Sequence, residues 1–122
     1  MNQEMKQSFE KEIEMNAATI LHKLNIPINI RGYHYLREAI FISVGNTDVI
    51  GCITKLLYPE IAKKHGASSP SVERAIRNAI GIAWDRGAGP VFAGRYGYCE
   101  NTKPSNSEFI GCIAEEIYFK LK

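Results

Sequence analysis

Ser71, Glu73, Arg74, Arg77 and Asn78 are the residues whose types and spacing could do chemistry, and that chemistry is hydrogen-bonded recognition. Steps of three and four place them along one side of a helix of 3.6 residues per turn. The guanidinium groups of Arg74 and Arg77 offer planar forks of donors. The Glu73 carboxylate accepts, and the Ser71 hydroxyl and Asn78 amide do both. Glu73 and Arg77 lie one turn apart, so a salt bridge that positions the arginine is expected as well.

These side chains need a rigid rod and a device that presents its first turns, and the stretch from Pro59 to Trp84 (PEIAKKHGASSPSVERAIRNAIGIAW) reads as both. A short helix starts with Pro59 at its first position, where the missing N–H costs nothing, and ends at Lys64–His65 before Gly66, a C-cap residue. Ser68 or Ser69 caps the next helix, with Pro70 in its first turn. Val72, Ala75, Ile76, Ala79, Ile80 and Ala83 form its buried stripe. Ala62 lies where two helices would cross, Gly66 follows four residues on, and Val72 plugs the core six later. This is the spacing of a DNA-binding helix-turn-helix, whose second helix offers its N-terminal half to the major groove. An ordinary αα-hairpin has the same periodicity.

The 122 residues predict one domain, 1–122, with the helix-turn-helix at 59–84. A content of 45% hydrophobic and 23% charged residues is that of a soluble globular chain. No apolar run approaches the roughly 20 residues of a membrane span, and the N-terminus has no signal-peptide core. A cytoplasmic location is expected. The net charge of +2 is small, but eight Lys/Arg against four acids fall between Lys55 and Lys103, leaving the remainder at −2. The basic excess thus coincides with the reading stretch, as a phosphate-binding surface requires. Cys52, Cys99 and Cys112 form no metal knuckle, and the two IGCI contexts predict buried, unreactive thiols at Cys52 and Cys112. Two aspartates, three scattered histidines and no nucleophile–base pair argue against an enzyme; no cofactor or metal is expected.

The rest of the chain reads as further helices. The first covers about residues 4 to 24, with Phe9, Ile13, Ala17, Ile20, Leu21 and Leu24 as its stripe. After an extended INIRG connection a second runs from Gly32 to Val44, on which His34 is a surface or hydrogen-bonded structural histidine. Thr47 or Asp48 caps a third, Val49 to Leu57, with Ile50, Ile53, Leu56 and Leu57 as its apolar positions. Past Trp84, VFAGRYGY reads as an irregular aromatic segment with at most a short turn of helix, and ENTKPSNS as a polar loop. Asn106 or Ser107 caps the last helix, Glu108 to Leu121. The expected fold class is all-α, five to six helices around the central helix-turn-helix.

RGYHYLREAI, ITKLLYPEIAKKHG, VERAIRNAI–AW–RG and KPSNSEFI, in that order across residues 13 to 121, resemble the C-terminal effector domain of the sporulation stage-zero A response regulators. The resemblance implies an all-helical domain that binds double-stranded DNA at short TGTCGAA-like boxes, as tandem or dimeric copies, and regulates transcription with contacts to an RNA polymerase sigma subunit. It implies base and phosphate contacts from Glu73, Arg74 and Arg77, with Asn78, a base contact, standing where the family commonly has histidine, and a phosphate contact at Lys103–Pro104. Lys63, Lys64 and Arg77 are expected to join Lys103 on phosphates, with Ser71 facing bases beside Glu73 and Arg74. Arg74 on guanine and Glu73 on a cytosine amino group are the sharpest assignments.

Three departures separate this chain from that pattern. Ser71 replaces a base-reading arginine, which relaxes or shifts sequence preference, since an Arg–guanine pair is worth about 1–3 kcal/mol. The segment AGPVFAGRYGY differs strongly from the family, and the loop before Lys103 is shorter. The 122 residues leave no room for a phosphoacceptor receiver domain, and a native-looking Met1 favours a chain without one. Two readings follow: a sequence-specific transcription regulator, or a receiver-less interaction module that pairs with the full-length regulator or with polymerase.

Overall fold

The computed structural model describes residues 2–99 and 101–121, with the side chains of Thr47 and Ile50 outside that description, as is Glu100 in the polar loop. The described residues are helical and contain no strand. Six α-helices, α1 (Gln3–Lys23), α2 (Arg31–Gly45), α3 (Tyr58–His65), α4 (Ser69–Asp85), α5 (Ala88–Tyr96) and α6 (Asn106–Leu121), surround one continuous core. The all-α expectation is thereby met.

Local chemistry sets the ends of these helices. Asn2 caps α1 by accepting from the Met5 N–H at 2.8 Å. Asn25, at φ 61°, turns the chain out of α1, so the connection to α2 is a set of turns rather than the extended INIRG expected. The Asn25 amide also donates to the Arg86 carbonyl at 3.0 Å, tying this corner to the end of α4.

Packing centres on α2, which contacts α1, α4 and α6. Its closest approach is at Gly32: a Cβ there would collide with the Ala75 carbonyl and the Ala79 side chain. Only glycine lets α2 lie this near α4. Leu36, Ala39 and Ile40 of α2, Val72, Ile76, Ala79 and Ile80 of α4, and Phe109, Ile110 and Ile113 of α6 are all buried in the shared core.

Several local expectations are corrected. Asn46, not Thr47 or Asp48, caps the third segment, accepting from the Asp48 N–H at 3.2 Å. That segment is no regular α-helix: a 3₁₀ stretch Thr47–Cys52 passes into a π turn, Ile53–Leu57, which runs straight into α3. The changes of helical pitch move Leu56 to the surface at 51% exposure, while Leu57 is buried. Phe9, read as part of the α1 stripe, is exposed, because the first turns of α1 extend past the core. Cys52 is exposed and Cys112 half-buried, so the buried-thiol reading fails for Cys52.

AGPVFAGRY is the helix α5, not an irregular segment. Pro90 falls in its first turn, where no N–H is needed, and Gly97 ends it at φ 74°. Phe92 holds it down, buried and stacked on Phe109 with ring centroids 5.5 Å apart, with Trp84, Tyr96 and Tyr98 around it. Ser105 rather than Asn106 or Ser107 caps α6. Its hydroxyl accepts from the Glu108 N–H at 3.1 Å, and Glu108 accepts from the Ser105 N–H at 2.9 Å.

Candidate nucleic-acid interface

The turn between α3 and α4 presents the exposed face of α4. Tyr58 and Pro59 open α3, and Gly66 closes it at φ 62°, with the Ala67 N–H on the Ala62 carbonyl at 2.9 Å. Pro59 therefore stands second in α3, still within the turn that lacks N–H partners. Ser68 caps α4 by accepting from the Ser71 N–H, and the Ser71 hydroxyl accepts from the Ser68 N–H, both at 3.3 Å. Val72, Ile76, Ala79, Ile80 and Ala83 point into the core, which fixes the rotation of α4 about its own axis. Arg74, Arg77 and Asn78 are left in solvent as a consequence.

Arg74 and Asn78 have no hydrogen-bond or ion-pair partner among the described residues. Arg77 donates to Glu73 at 2.9 Å, the pair expected one turn apart. Such an exposed pair contributes little stability, but it aims the guanidinium along the helix. Lys103, from the turn before α6, reaches the same face: a Cβ added at Gly81 would lie 3.9 Å from its Nζ. Arg74, Arg77, Asn78, Gly81, Asp85 and Lys103 line one shallow depression there.

Not every anticipated residue stands free on this surface. The Ser71 hydroxyl donates to the Ser68 carbonyl at 2.9 Å, so its proton is committed to the helix cap. Pro104 is buried and carries neither a side-chain donor nor an N–H, so within the Lys103–Pro104 pair only Lys103 is equipped to meet a phosphate. Lys63 and Lys64 are exposed near the end of α3, with Lys64 3.4 Å from Glu38.

Two features escaped the sequence reading. Asn106, the first residue of α6, donates through Nδ2 to the Tyr58 hydroxyl at 2.9 Å and to the Glu73 carbonyl at 3.1 Å. Burial raises the Tyr58 phenol above its ordinary range, the Asn106 bond works against that, and Glu73 adds to it. Arg31, beside the Gly32 contact, lines a second depression with His34, His65, Gly66 and Ser71, on the flank of α4 that faces α2. A long-range pair of helix-terminal residues leaves no periodic trace, so spacing could not reveal either feature.

A cleft of about 470 Å³ between α1, α2 and α3 adjoins the Arg31 depression, sharing His34 and His65 with it. Glu14, Glu38 and Glu60 outnumber Arg37 and Lys64 there, so its field does not favour an anion. Among the described residues no His, Cys, Asp or Glu cluster could hold a metal ion, and no helix is long and apolar enough to cross a membrane.

Comparison with protein families agrees with this architecture. The family model described as sporulation initiation factor Spo0A C terminal matches residues 17–117, most of the chain and the whole of α2 to α5. The chain therefore belongs to the Spo0A C-terminal family, the DNA-binding domain of a sporulation regulator.

Proposed function

We propose that this protein is a sequence-specific transcription regulator that seats the N-terminal half of α4 in the major groove of double-stranded DNA. The observation that carries the reading is the convergence of Arg74, Arg77 and Lys103 on one exposed depression over α4. Arg74 reads a guanine edge with its bidentate fork, and Asn78 one turn on reaches a neighbouring base. Glu73 divides its carboxylate between a cytosine amino group and Arg77, which it steers toward phosphate.

Phosphate contacts bracket the reading helix. Lys103 approaches it at Gly81, and Arg31 stands on the flank facing α2, so the two cations address opposite walls of the groove. Lys63 and Lys64 add charge from the end of α3. The domain is the single unit 1–122 with its helix-turn-helix at 59–84, and it recognises TGTCGAA-like boxes in tandem, with a preference altered at the position where Ser71 replaces arginine. Contact with an RNA polymerase sigma subunit and a cytoplasmic location accompany this role.

The test is a titration of the protein onto a duplex carrying two TGTCGAA-like boxes and onto a scrambled duplex, across a salt series. Tighter binding to the boxes, with log affinity falling linearly against log salt, is the expected outcome. Equal affinity for both duplexes overturns recognition of that box, and binding indifferent to salt overturns the phosphate contacts.

A further inference from the structure

Asn106 occupies an unusual position for an amide at the start of a helix. A reciprocal cap of α6 forms without it, since Ser105 and Glu108 satisfy each other's N–H groups. The Asn106 side chain leaves its own helix instead. Its Nδ2 donates to the hydroxyl of Tyr58, the first residue of α3, and to the backbone carbonyl of Glu73 in the second turn of α4. The Glu73 carbonyl thus carries a bond from outside its own helix, at the level of α4 that bears Arg74.

Three residues before Asn106 stands Lys103, in the segment that leads into α6. Pro104 is buried, and the reciprocal Ser105–Glu108 bonds fix the backbone where α6 begins. The Lys103 ammonium lies over Gly81, 3.9 Å from where a Cβ would stand. One amide therefore joins the turn carrying a phosphate cation to the helix carrying the base-reading side chains.

We infer that Asn106 is a positioning residue for DNA recognition, fixing α4 against the Lys103 turn so that base-edge and phosphate contacts are made in one register. The inference rests on the reading role proposed for α4. Loss of the amide leaves the cations in place, so non-specific attraction to the backbone persists. What is lost is the fixed offset between Lys103 and Arg74, on which discrimination depends. A bond of this kind contributes enough to shift a binding ratio by about three- to tenfold.

The experiment measures affinity for the two-box and scrambled duplexes with the wild-type chain, Asn106→Ala, Asn106→Asp and a control, Ile117→Val, that trims the buried face of α6 away from the junction. Thermal melting of each is recorded alongside. Asn106→Ala should reduce the box-to-scrambled affinity ratio about three- to tenfold while leaving scrambled binding and its salt slope unchanged. Asn106→Asp keeps the shape and lets the Tyr58 hydroxyl donate to it, but it turns a carboxylate toward the Glu73 carbonyl, so the tie to α4 is broken. It should lose the box preference as Asn106→Ala does, whereas a role through Tyr58 alone would leave that preference intact.

Ile117→Val should melt lower than wild type and keep the full ratio. A wild-type ratio retained in both Asn106 variants overturns the positioning role. So does an equal loss of ratio in Ile117→Val. Failure of the wild-type chain itself to prefer the boxes refutes the underlying reading of α4 and is distinguishable from both.

Discussion

Arg74 and Lys103 share a surface, and the proposed reading gives them different jobs that can be measured apart. Arg74 is unpartnered and exposed on the reading face, suited to a base edge, whereas Lys103 is a point charge on the segment before α6. Arg74→Ala should cost about 1–3 kcal/mol of discrimination between the box and its single-base variants. Lys103→Ala should weaken every duplex alike and lower the salt slope by about 1. Competition binding across a salt series separates the two, and the reverse pattern would mean the roles are exchanged. Ser71 is bound into the Ser68 cap, donating to its carbonyl. Ser71→Ala should therefore leave base preference nearly unchanged and lower stability by about 0.5–1 kcal/mol in a thermal melt.

At the scale of elements, the attitude of α4 is set by what lies behind it. The Gly32 contact lets α2 press against Ala75 and Ala79, and α3, α5 and α6 also pack on α4, leaving the strip of Arg74, Arg77 and Asn78 in solvent. Gly32→Ala forces a methyl into the Ala75 carbonyl. Overpacking of this kind should destabilise by about 1–3 kcal/mol, with α4 displaced from α2 and DNA affinity falling with it. Denaturant unfolding and duplex titration of the same variant would check both effects; an unchanged midpoint would show that the helices separate freely. Gly32 is the second residue of the run RGYHYLREAI, but its close neighbours are 43 and 47 residues away, so no local pattern announces them.

Across the whole molecule, acid sensitivity follows from two carboxylates of α6. Glu116 accepts from Arg95 at 2.8 and 2.6 Å and from the Tyr96 hydroxyl at 2.7 Å, joining α5 to α6. The Arg95 bonds, opposed by burial, hold its carboxyl below the usual carboxylate range, while burial and the Glu116 bond push the Tyr96 phenol well above its own. Glu108 is lowered in the same sense by the Ser105 N–H and hydroxyl. A carboxyl depressed in the folded state stabilises the fold above the unfolded-state pKa of about 4.3, and that stability is lost as pH falls through the native value. The melting temperature should therefore drop below about pH 4.5, and Glu116→Gln should flatten part of that slope. Parallel melts of the two chains over this range give the measurement, and identical slopes would remove Glu116 from the account.

By itself the sequence determined the helices whose apolar stripes repeat at 3.6 residues and whose ends carry Ser, Gly or Pro, because both signals are local. It also determined the exposed set Arg74, Arg77 and Asn78, since they lie opposite the buried stripe Val72, Ile76, Ala79 and Ile80. Tertiary structure decided the remainder. Burial of Phe92 against Phe109 makes a helix of a glycine-rich run. The passage from 3₁₀ to π turn carries Leu56 outward before α3 begins. Asn106 meets Tyr58 and Glu73, 48 and 33 residues away, only once three helices have packed. Contacts of that kind depend on the closure of the whole fold, and a linear pattern registers only what lies within a few turns of itself.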